Sequence, residues 1–251
     1  MKHRLDKLLV DRGLAESRET AKRLVMAGEV MVKGTLCAKP STPFDADVPI
    51  EVKQRPPFVS RGGEKLRGAL DGFGIDPAGR VCLDIGASTG GFTDCLLQRG
   101  AAHVLAVDVG RGQLHWKLRQ DPRVTVREGV NARYLSPADL GGLVPDLAVV
   151  DVSFISLAKV LPAVAALLPN GADLVTLIKP QFEAGRKQVG KGGVVRDPDV
   201  HRAVVASVRE AGVALGFQWL AVIESPLRGP AGNIEFLAHW RRRLDKAEVR
   251  G

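Results

Sequence analysis

Apolar residues recur along the chain with the spacing of helices and strands, and a stretch rich in proline and glycine interrupts the pattern near residue 60. In the first part, apolar positions at helical spacing predict one helix over residues 4–12 and a second that begins after Ser17 and ends at Gly28. Residues 29–36 and 48–52 are predicted to form strands. So few residues make a marginal domain, which suits a recognition module better than a catalyst.

Strands and helices alternate in the second part of the chain. Continuous apolar runs at residues 81–85, 104–109 and 147–150 are typical of parallel strands that are buried on both faces. The pattern therefore predicts a doubly wound α/β sheet that ends in an antiparallel edge strand, with its ligand at the carboxyl ends of the strands. The other predicted strands are 124–127, 174–178, 219–223 and 234–240, and the predicted helices begin at Gly91 and Gly112 or cover 157–168 and 199–215.

The interrupting stretch divides the chain into three predicted parts. Residues 55–63 hold two prolines and two glycines, which is the composition of a linker. We expect a small α+β domain over residues 1–54 and an α/β domain over residues 64–251.

Charge and cysteine content narrow the class of protein. The 36 Lys and Arg residues exceed the 28 Asp and Glu residues, and the net charge of +8 favours a polyanionic partner. Three cysteines without a C-x-x-C pair predict free thiols in a reducing cytoplasm and no metal site. No apolar run approaches the roughly 20 residues of a membrane helix, and no signal peptide is expected.

The sharpest local signal is a strand that enters a glycine-rich turn and then a helix, over residues 83–92. The glycines would let a ligand approach the backbone, and the helix N-terminus offers free N–H groups. Asp108 ends the next strand, where it can accept hydrogen bonds from a ribose diol. The spacing G-x-x-x-G-G favours S-adenosylmethionine over a dinucleotide. The predicted cofactor contacts are Asp84, Gly86, Ser88, Gly90, Gly91, Phe92, Asp108, Val109 and Asn131, although Asn131 could instead cap a turn.

Several blocks of the sequence match one family. The block Asp84-Ile-Gly-Ala-Ser-Thr-Gly-Gly-Phe-Thr resembles motif I of class I methyltransferases, in the form found in the TlyA (haemolysin A) family. Phe58 departs from the Tyr or Trp expected in the linker of that family. Further blocks that resemble the family are Val59-Ser-Arg-Gly-Gly-Glu-Lys-Leu66, Val150-Asp-Val-Ser-Phe-Ile-Ser-Leu157, Leu177-Ile-Lys-Pro-Gln-Phe-Glu183 and Gly232-Asn-Ile-Glu-Phe236, while Arg4-Leu-Asp-Lys-Leu-Leu9 and Ser17-Arg-Glu-Thr-Ala-Lys-Arg23 resemble its alpha-L RNA-binding motif.

The resemblance implies a class I, FtsJ-like methyltransferase domain that transfers a methyl group from S-adenosylmethionine to ribose 2′-hydroxyls of ribosomal RNA, with cytidines as targets. It also implies a catalytic set of Lys65, Asp151, Lys179 and Glu235. The chemistry agrees, because a ribose hydroxyl is a poor nucleophile at neutral pH and its proton must leave as the methyl arrives. Asp151 and Lys179 each follow a strongly apolar strand, where a charged side chain needs a reason.

The expected partners are ribosomal RNA or ribosomal subunits. We expect five basic residues of the first domain to contact phosphates, and we expect Phe154 to pack rather than to stack on a base. A non-catalytic RNA-binding or ribosome assembly factor stays an alternative, as does a membrane-lytic haemolysin, although no membrane-spanning run supports the latter. The five basic residues are Arg4, Arg18, Lys22, Arg23 and Lys33.

Overall fold

A computed structural model describes residues 2–53 and 56–243 of the chain, which divides into two compact units, Met1–Pro56 and Pro57–Gly251. Residues 54 and 55, at the predicted linker, and residues 244–251, at the end of the predicted second domain, lie outside the described residues. The finer division at residues 54 and 63 stays a prediction. Phe58, inside the predicted linker, is buried in the core of the second unit beside Leu66.

The first unit combines two short helices with two small antiparallel sheets. Ser17 caps the second helix as predicted, because its side chain accepts a hydrogen bond from the Thr20 N–H at 3.2 Å. Strands β1 and β4 were not predicted, since three residues are too few to show a periodic pattern. β1 pairs with β4, and the other strands pair in the order β3-β2-β5. The elements are β1 (Lys2–Arg4), α1 (Leu5–Asp11), α2 (Arg18–Met26), β2 (Val30–Val32), β3 (Thr35–Leu36), β4 (Pro43–Asp45) and β5 (Ile50–Val52).

The second unit is a seven-stranded mixed sheet in the order β11-β12-β10-β9-β6-β7-β8, with an apolar core against each face. The predicted α/β class is confirmed. Its elements are α3 (Gly62–Phe73), β6 (Val81–Ile85), α4 (Gly91–Gln98), β7 (His103–Asp108), α5 (Trp116–Arg119), β8 (Val124–Glu128), β9 (Leu147–Val150), α6 (Leu161–Leu167), β10 (Asp173–Ile178), α7 (Pro180–Glu183), α8 (Pro198–Ala214), β11 (Phe217–Glu224) and β12 (Phe236–Arg242).

The sheet ends in an antiparallel pair of strands on one side, as expected. β12 is antiparallel to both β10 and β11, and β11 forms the edge. The burial patterns give the reason: Leu237 to Trp240 are all buried, whereas alternate residues of β11 are exposed. A strand with both faces covered belongs inside a sheet.

Two predicted helices differ from the observed ones. The helix expected from Gly112 is reduced to the four residues of α5. The helix expected over residues 157–168 begins as a 3₁₀ turn, Leu157–Lys159, and becomes α-helical only at Leu161. Neither change moves the carboxyl ends of the parallel strands β6, β7, β9 and β10, which lie at one edge of the sheet.

Candidate active site

The structure brings the four predicted catalytic residues to one cavity of about 470 Å³. Lys65 lies on α3, Asp151 follows β9, Lys179 follows β10, and Glu235 immediately precedes β12. They form two ion pairs, Lys65 Nζ to Glu235 Oε2 at 2.5 Å and Lys179 Nζ to Asp151 Oδ1 at 2.5 Å. The sheet topology therefore assembles residues from four separate parts of the chain into one site.

The two ion pairs differ in burial. The side chains of Lys65 and Glu235 are 9% and 1% exposed, and Gln181 Nε2 donates a further hydrogen bond to Glu235 Oε1 at 3.2 Å. Those of Lys179 and Asp151 are 11% and 22% exposed, so this pair is the more open to a substrate. A buried charge is tolerated when it is paired and hydrogen-bonded. Lys65 and Glu235 are both ion-paired and hydrogen-bonded to each other, whereas Lys179 is ion-paired with Asp151 and donates its hydrogen bond to Ser153.

The loop after β9 presents an aromatic ring at the cavity. Phe154 is 90% exposed and its φ is +65°, so the expectation that it packs in the core was wrong. Its ring contacts Phe182, with the ring centroids 5.0 Å apart. Glu183 fixes the end of this loop, because its carboxylate accepts hydrogen bonds from Ser156 Oγ at 2.6 Å and from the Leu157 N–H at 2.8 Å. An exposed aromatic ring in this position can stack on a base.

The glycine-rich turn is shaped by the protein's own backbone as well as by any ligand. Gly86 has φ of +86°, and a Cβ atom there would collide with the backbone carbonyl of Asp151. A Cβ atom at Gly91 would lie 2.8 Å from the backbone nitrogen of Gly63. Close approach of strand ends and helices therefore accounts for these two glycines, which the sequence had associated only with ligand approach.

A second cavity, of about 540 Å³, adjoins the first and contains several predicted cofactor residues. Asp108 lies at its wall, where Oδ2 accepts from the Ser88 N–H at 2.8 Å and Oδ1 from the Gly110 N–H at 2.6 Å. Asn131 also lines this cavity, and its side chain caps the next turn by accepting from the Arg133 N–H at 3.0 Å. Val109 is exposed at the same wall. The residues shared by the two cavities are Gly86, Ser88, Asp151, Ser153 and Phe154.

Comparison with known proteins shows to which protein family the chain belongs. The family model described as FtsJ-like methyltransferase matches residues 58–242, and the model of the S4 domain matches residues 3–48. The chain belongs to the FtsJ-like methyltransferase family. The methyl donor of this family fold is S-adenosylmethionine, as the turn after β6 predicted.

Relatives of this FtsJ-like methyltransferase align along nearly its whole length. The "16S/23S rRNA (cytidine-2'-O)-methyltransferase TlyA" of Mycobacterium tuberculosis is 51% identical over 97% of this chain and 91% of the relative. A solved structure from Streptococcus thermophilus, whose name contains the word hemolysin, is 47% identical over 96% of this chain and 89% of that chain, with a TM-score of 0.74. An S-adenosylmethionine-dependent methyltransferase from Mesorhizobium loti covers 71% of this chain and 98% of its own at 17% identity and a TM-score of 0.53, which shows the fold alone.

The cavities of this FtsJ-like methyltransferase fit S-adenosylmethionine. We expect Asp108, Val109 and Asn131 to hold the adenosine part, because a carboxylate at the end of the second strand can accept from a ribose diol. Asp84 lies behind the turn and lines neither cavity. One of its oxygens accepts from Thr93 Oγ1 at 2.6 Å, and the other is buried without a partner among the described residues. The side chain of Asp84 is fully buried, and its predicted contact with the cofactor stays a prediction.

Phe92 and Gly90 have different places in the same turn. Phe92 is buried in the core next to α3 and lines the first cavity with only the small part of its ring that stays accessible. Gly90 has φ of +98° and packs against Leu114 and Leu118. Among the predicted cofactor residues, Ser88 alone combines an exposed side chain with a place in both cavities.

Burial raises the pKa of Asp84 to about 7, chiefly by desolvation of its carboxylate. Because this pKa lies above the unfolded-state value near 3.8, the stability linked to Asp84 is complete below about pH 4 and is lost as the pH rises through 7. We expect Asp84→Asn, which cannot ionise, to gain up to about 4 kcal/mol relative to wild type between pH 4 and pH 8.

Urea unfolding followed by tryptophan fluorescence measures this difference for the second unit alone, because Trp116, Trp219 and Trp240 all lie there. Asp108→Asn is the matched control, because Asp108 is also an aspartate at the end of a neighbouring strand but is only partly buried. A constant difference between Asp84→Asn and wild type across this pH range would contradict the prediction.

The S4 domain holds the five predicted RNA contacts, and two of them have a second task. Arg4 and Arg18 both bind the carboxylate of Asp6, a fully buried residue of α1, at 3.0 and 3.1 Å. The hydrogen bond from Arg4 is the main reason that the pKa of Asp6 is lowered to about 2. Lys22 and Arg23 on α2 are exposed, as is Lys33 in the turn between β2 and β3. The sequence reasoning missed Asp6, whose only signal was a charge within an apolar helix start.

The described ranges, 2–53 and 56–243, contain no group of three or more His, Cys, Asp or Glu side chains that could hold a metal ion. They also contain no helix with the length and apolar character needed to cross a membrane.

Proposed function

We propose that this protein transfers a methyl group from S-adenosylmethionine to the ribose 2′-hydroxyl of a cytidine in ribosomal RNA, in the cytoplasm where ribosomes are assembled. One observation carries the proposal: the pairs Lys65–Glu235 and Lys179–Asp151 face one cavity that adjoins a nucleoside-sized cavity. The nucleotide and reaction named for the relative from Mycobacterium tuberculosis support it.

Bound S-adenosylmethionine would supply an electrophilic methyl group on a sulfonium. The chain itself must hold the hydroxyl and receive its proton. In this proposal Lys179 Nζ hydrogen-bonds the 2′-oxygen, and the Lys179–Asp151 ion pair takes the proton and passes it to solvent. With S-adenosylmethionine bound, the oxygen would form its bond to the methyl carbon as the carbon–sulfur bond breaks, which would give a 2′-O-methyl ribose, S-adenosylhomocysteine and a proton.

Lys65 and Glu235 would act on the other side of the cavity. Their pair is buried and nearly neutral overall, so it adds hydrogen-bond donors without a large field. The exposed ring of Phe154 supports the recognition of an unstacked base, because aromatic faces bind single-stranded bases by stacking. A nucleotide must leave its helix for its ribose to reach a site at this depth.

Transfer of labelled methyl from S-adenosylmethionine to purified, unmodified ribosomal subunits tests the proposal. We expect the label in RNA, and digestion to nucleosides should recover it as 2′-O-methylcytidine. Label on a base would contradict the assigned reaction. No label on either subunit, from protein that binds S-adenosylmethionine, would favour the non-catalytic assembly factor instead.

The S4 domain is proposed to dock structured RNA through phosphate contacts. We expect Lys22→Ala with Arg23→Ala to weaken RNA binding and to lower the slope of log affinity against log salt by about 2, because each lost cation removes about one phosphate contact. Filter binding over a range of salt concentrations measures both.

Lys39→Ala is the matched control, since Lys39 is an exposed cation of the same domain outside the helix pair. The double variant should unfold like wild type, because neither side chain joins the Asp6 cluster. A salt slope equal to that of wild type would contradict the docking role.

A further inference from the structure

Ser153 lies at the point where the two cavities meet, and the predicted catalytic set does not include it. Its hydroxyl oxygen accepts a hydrogen bond from Lys179 Nζ at 2.9 Å. Ser153 is exposed and follows Asp151 by two residues, so one short segment supplies both polar partners of the lysine.

The amino group of Lys179 has three hydrogen-bonding positions: three N–H donors when it is charged, or two N–H donors and a lone pair when it is neutral. Ser153 Oγ accepts a hydrogen bond from one of them at 2.9 Å, and Asp151 Oδ1 lies in ion-pair contact with the amino group at 2.5 Å. The ring of Phe182 covers another side, with its centroid 5.9 Å from Nζ. Two fixed partners determine the direction of the third position, whereas a single partner would leave the amino group free to turn about that contact.

The segment that carries Ser153 is held at both ends. The Asp151 N–H donates to the Ile85 carbonyl at 2.9 Å, and Glu183 binds Ser156 and Leu157 at the other end. Between them, Phe154 has a left-handed φ of +65°, a conformation that persists in a non-glycine residue only where its surroundings impose it. The hydroxyl of Ser153 is therefore placed by the fold and does not depend on the conformation of a mobile loop.

We propose that Ser153 is a positioning residue for methyl transfer, whose hydroxyl fixes the direction in which Lys179 meets the 2′-oxygen of the target ribose. The proposal rests on the proposed function, because it assigns Lys179 to that oxygen. It predicts an effect on the rate of the bound complex and none on the assembly of that complex.

The test compares Ser153→Ala, Ser153→Thr and the control Ser207→Ala, an exposed serine of α8, in single-turnover methylation of ribosomal subunits. We expect Ser153→Ala to lower the maximal rate about tenfold to a hundredfold, the effect of losing a hydrogen bond to a charged group. The RNA concentration at half-maximal rate and the affinity for S-adenosylmethionine should not change. Threonine, which keeps the hydroxyl, should restore most of the rate. An unchanged maximal rate in Ser153→Ala, or a change in half-saturation alone, would overturn the proposal.

A second readout does not depend on methyl transfer. In protein with ¹³C-labelled lysine side chains, the signal of Lys179 is identified by its loss in Lys179→Ala. We expect this signal to shift in Ser153→Ala and to stay in place in Ser207→Ala, and a signal that stays in place in both would overturn the proposal. If wild type does not methylate ribose, the proposed function fails, while this signal still reports whether Ser153 holds Lys179.

Discussion

Replacing Lys179 with alanine is expected to lower the rate of methyl transfer by a factor of about 10² to 10⁴, the usual contribution of a group that moves a proton in the transition state. Lys179 directly follows β10 and lines the cavity, and we expect its partners Asp151 and Ser153 to stay in place without it. Because Lys179 is absent from the adenosine cavity, affinity for S-adenosylmethionine should stay within a few-fold of wild type. Single-turnover rates and isothermal titration measure the two quantities.

Lys159→Ala is the matched control for this variant, since it removes an exposed lysine from the 3₁₀ turn at Leu157–Lys159, away from the cavity. Lys179→Arg adds a distinction between roles, because arginine can donate to the 2′-oxygen and stays charged. Substantial activity in Lys179→Arg would indicate that the residue orients the hydroxyl, and loss of activity in both variants would indicate that it accepts the proton. Methyl transfer at the wild-type rate in Lys179→Ala would contradict any role in the reaction.

The ends of the parallel strands were the most predictable part of the site. Asp151 and Lys179 each interrupt an apolar strand pattern at its carboxyl end, and the topology of an α/β sheet places such ends side by side. Lys65 and Glu235 gave no comparable signal in their own surroundings, and only the family resemblance connected them. Their 2.5 Å contact joins residues 170 positions apart, a distance in sequence that periodicity does not address.

The pattern of apolar and polar residues predicts whether a segment is a helix or a strand better than it predicts how buried a single side chain is. Phe154 was expected to pack rather than to stack on a base, and its side chain is 90% exposed on a residue with φ of +65°. Asp84 was selected by its place two residues before the first glycine of the turn, and the pattern did not show that its side chain is fully buried and hydrogen-bonded to Thr93.

The second unit should be sensitive to the loss of one partner of the buried pair Lys65–Glu235. We expect Glu235→Ala to lower the free energy of unfolding by about 3–5 kcal/mol, because it leaves the ammonium group of Lys65 buried without its carboxylate. Urea unfolding followed by tryptophan fluorescence reports this unit alone. The matched control is Glu224→Ala, which removes an exposed carboxylate at the end of β11.

A double variant separates the fold from the reaction. In Lys65→Met with Glu235→Leu both charges are replaced by apolar groups of similar size, and such replacements of buried pairs are often neutral or stabilising. We therefore expect the double variant to recover most of the stability that Glu235→Ala loses, and to stay deficient in methyl transfer. Full activity in a stable double variant would show that the pair is not needed for the reaction, and an unchanged stability of Glu235→Ala would show that Lys65 finds another partner. If apolar side chains can replace the pair without loss of stability but not without loss of methyl transfer, the role of the pair lies in the reaction.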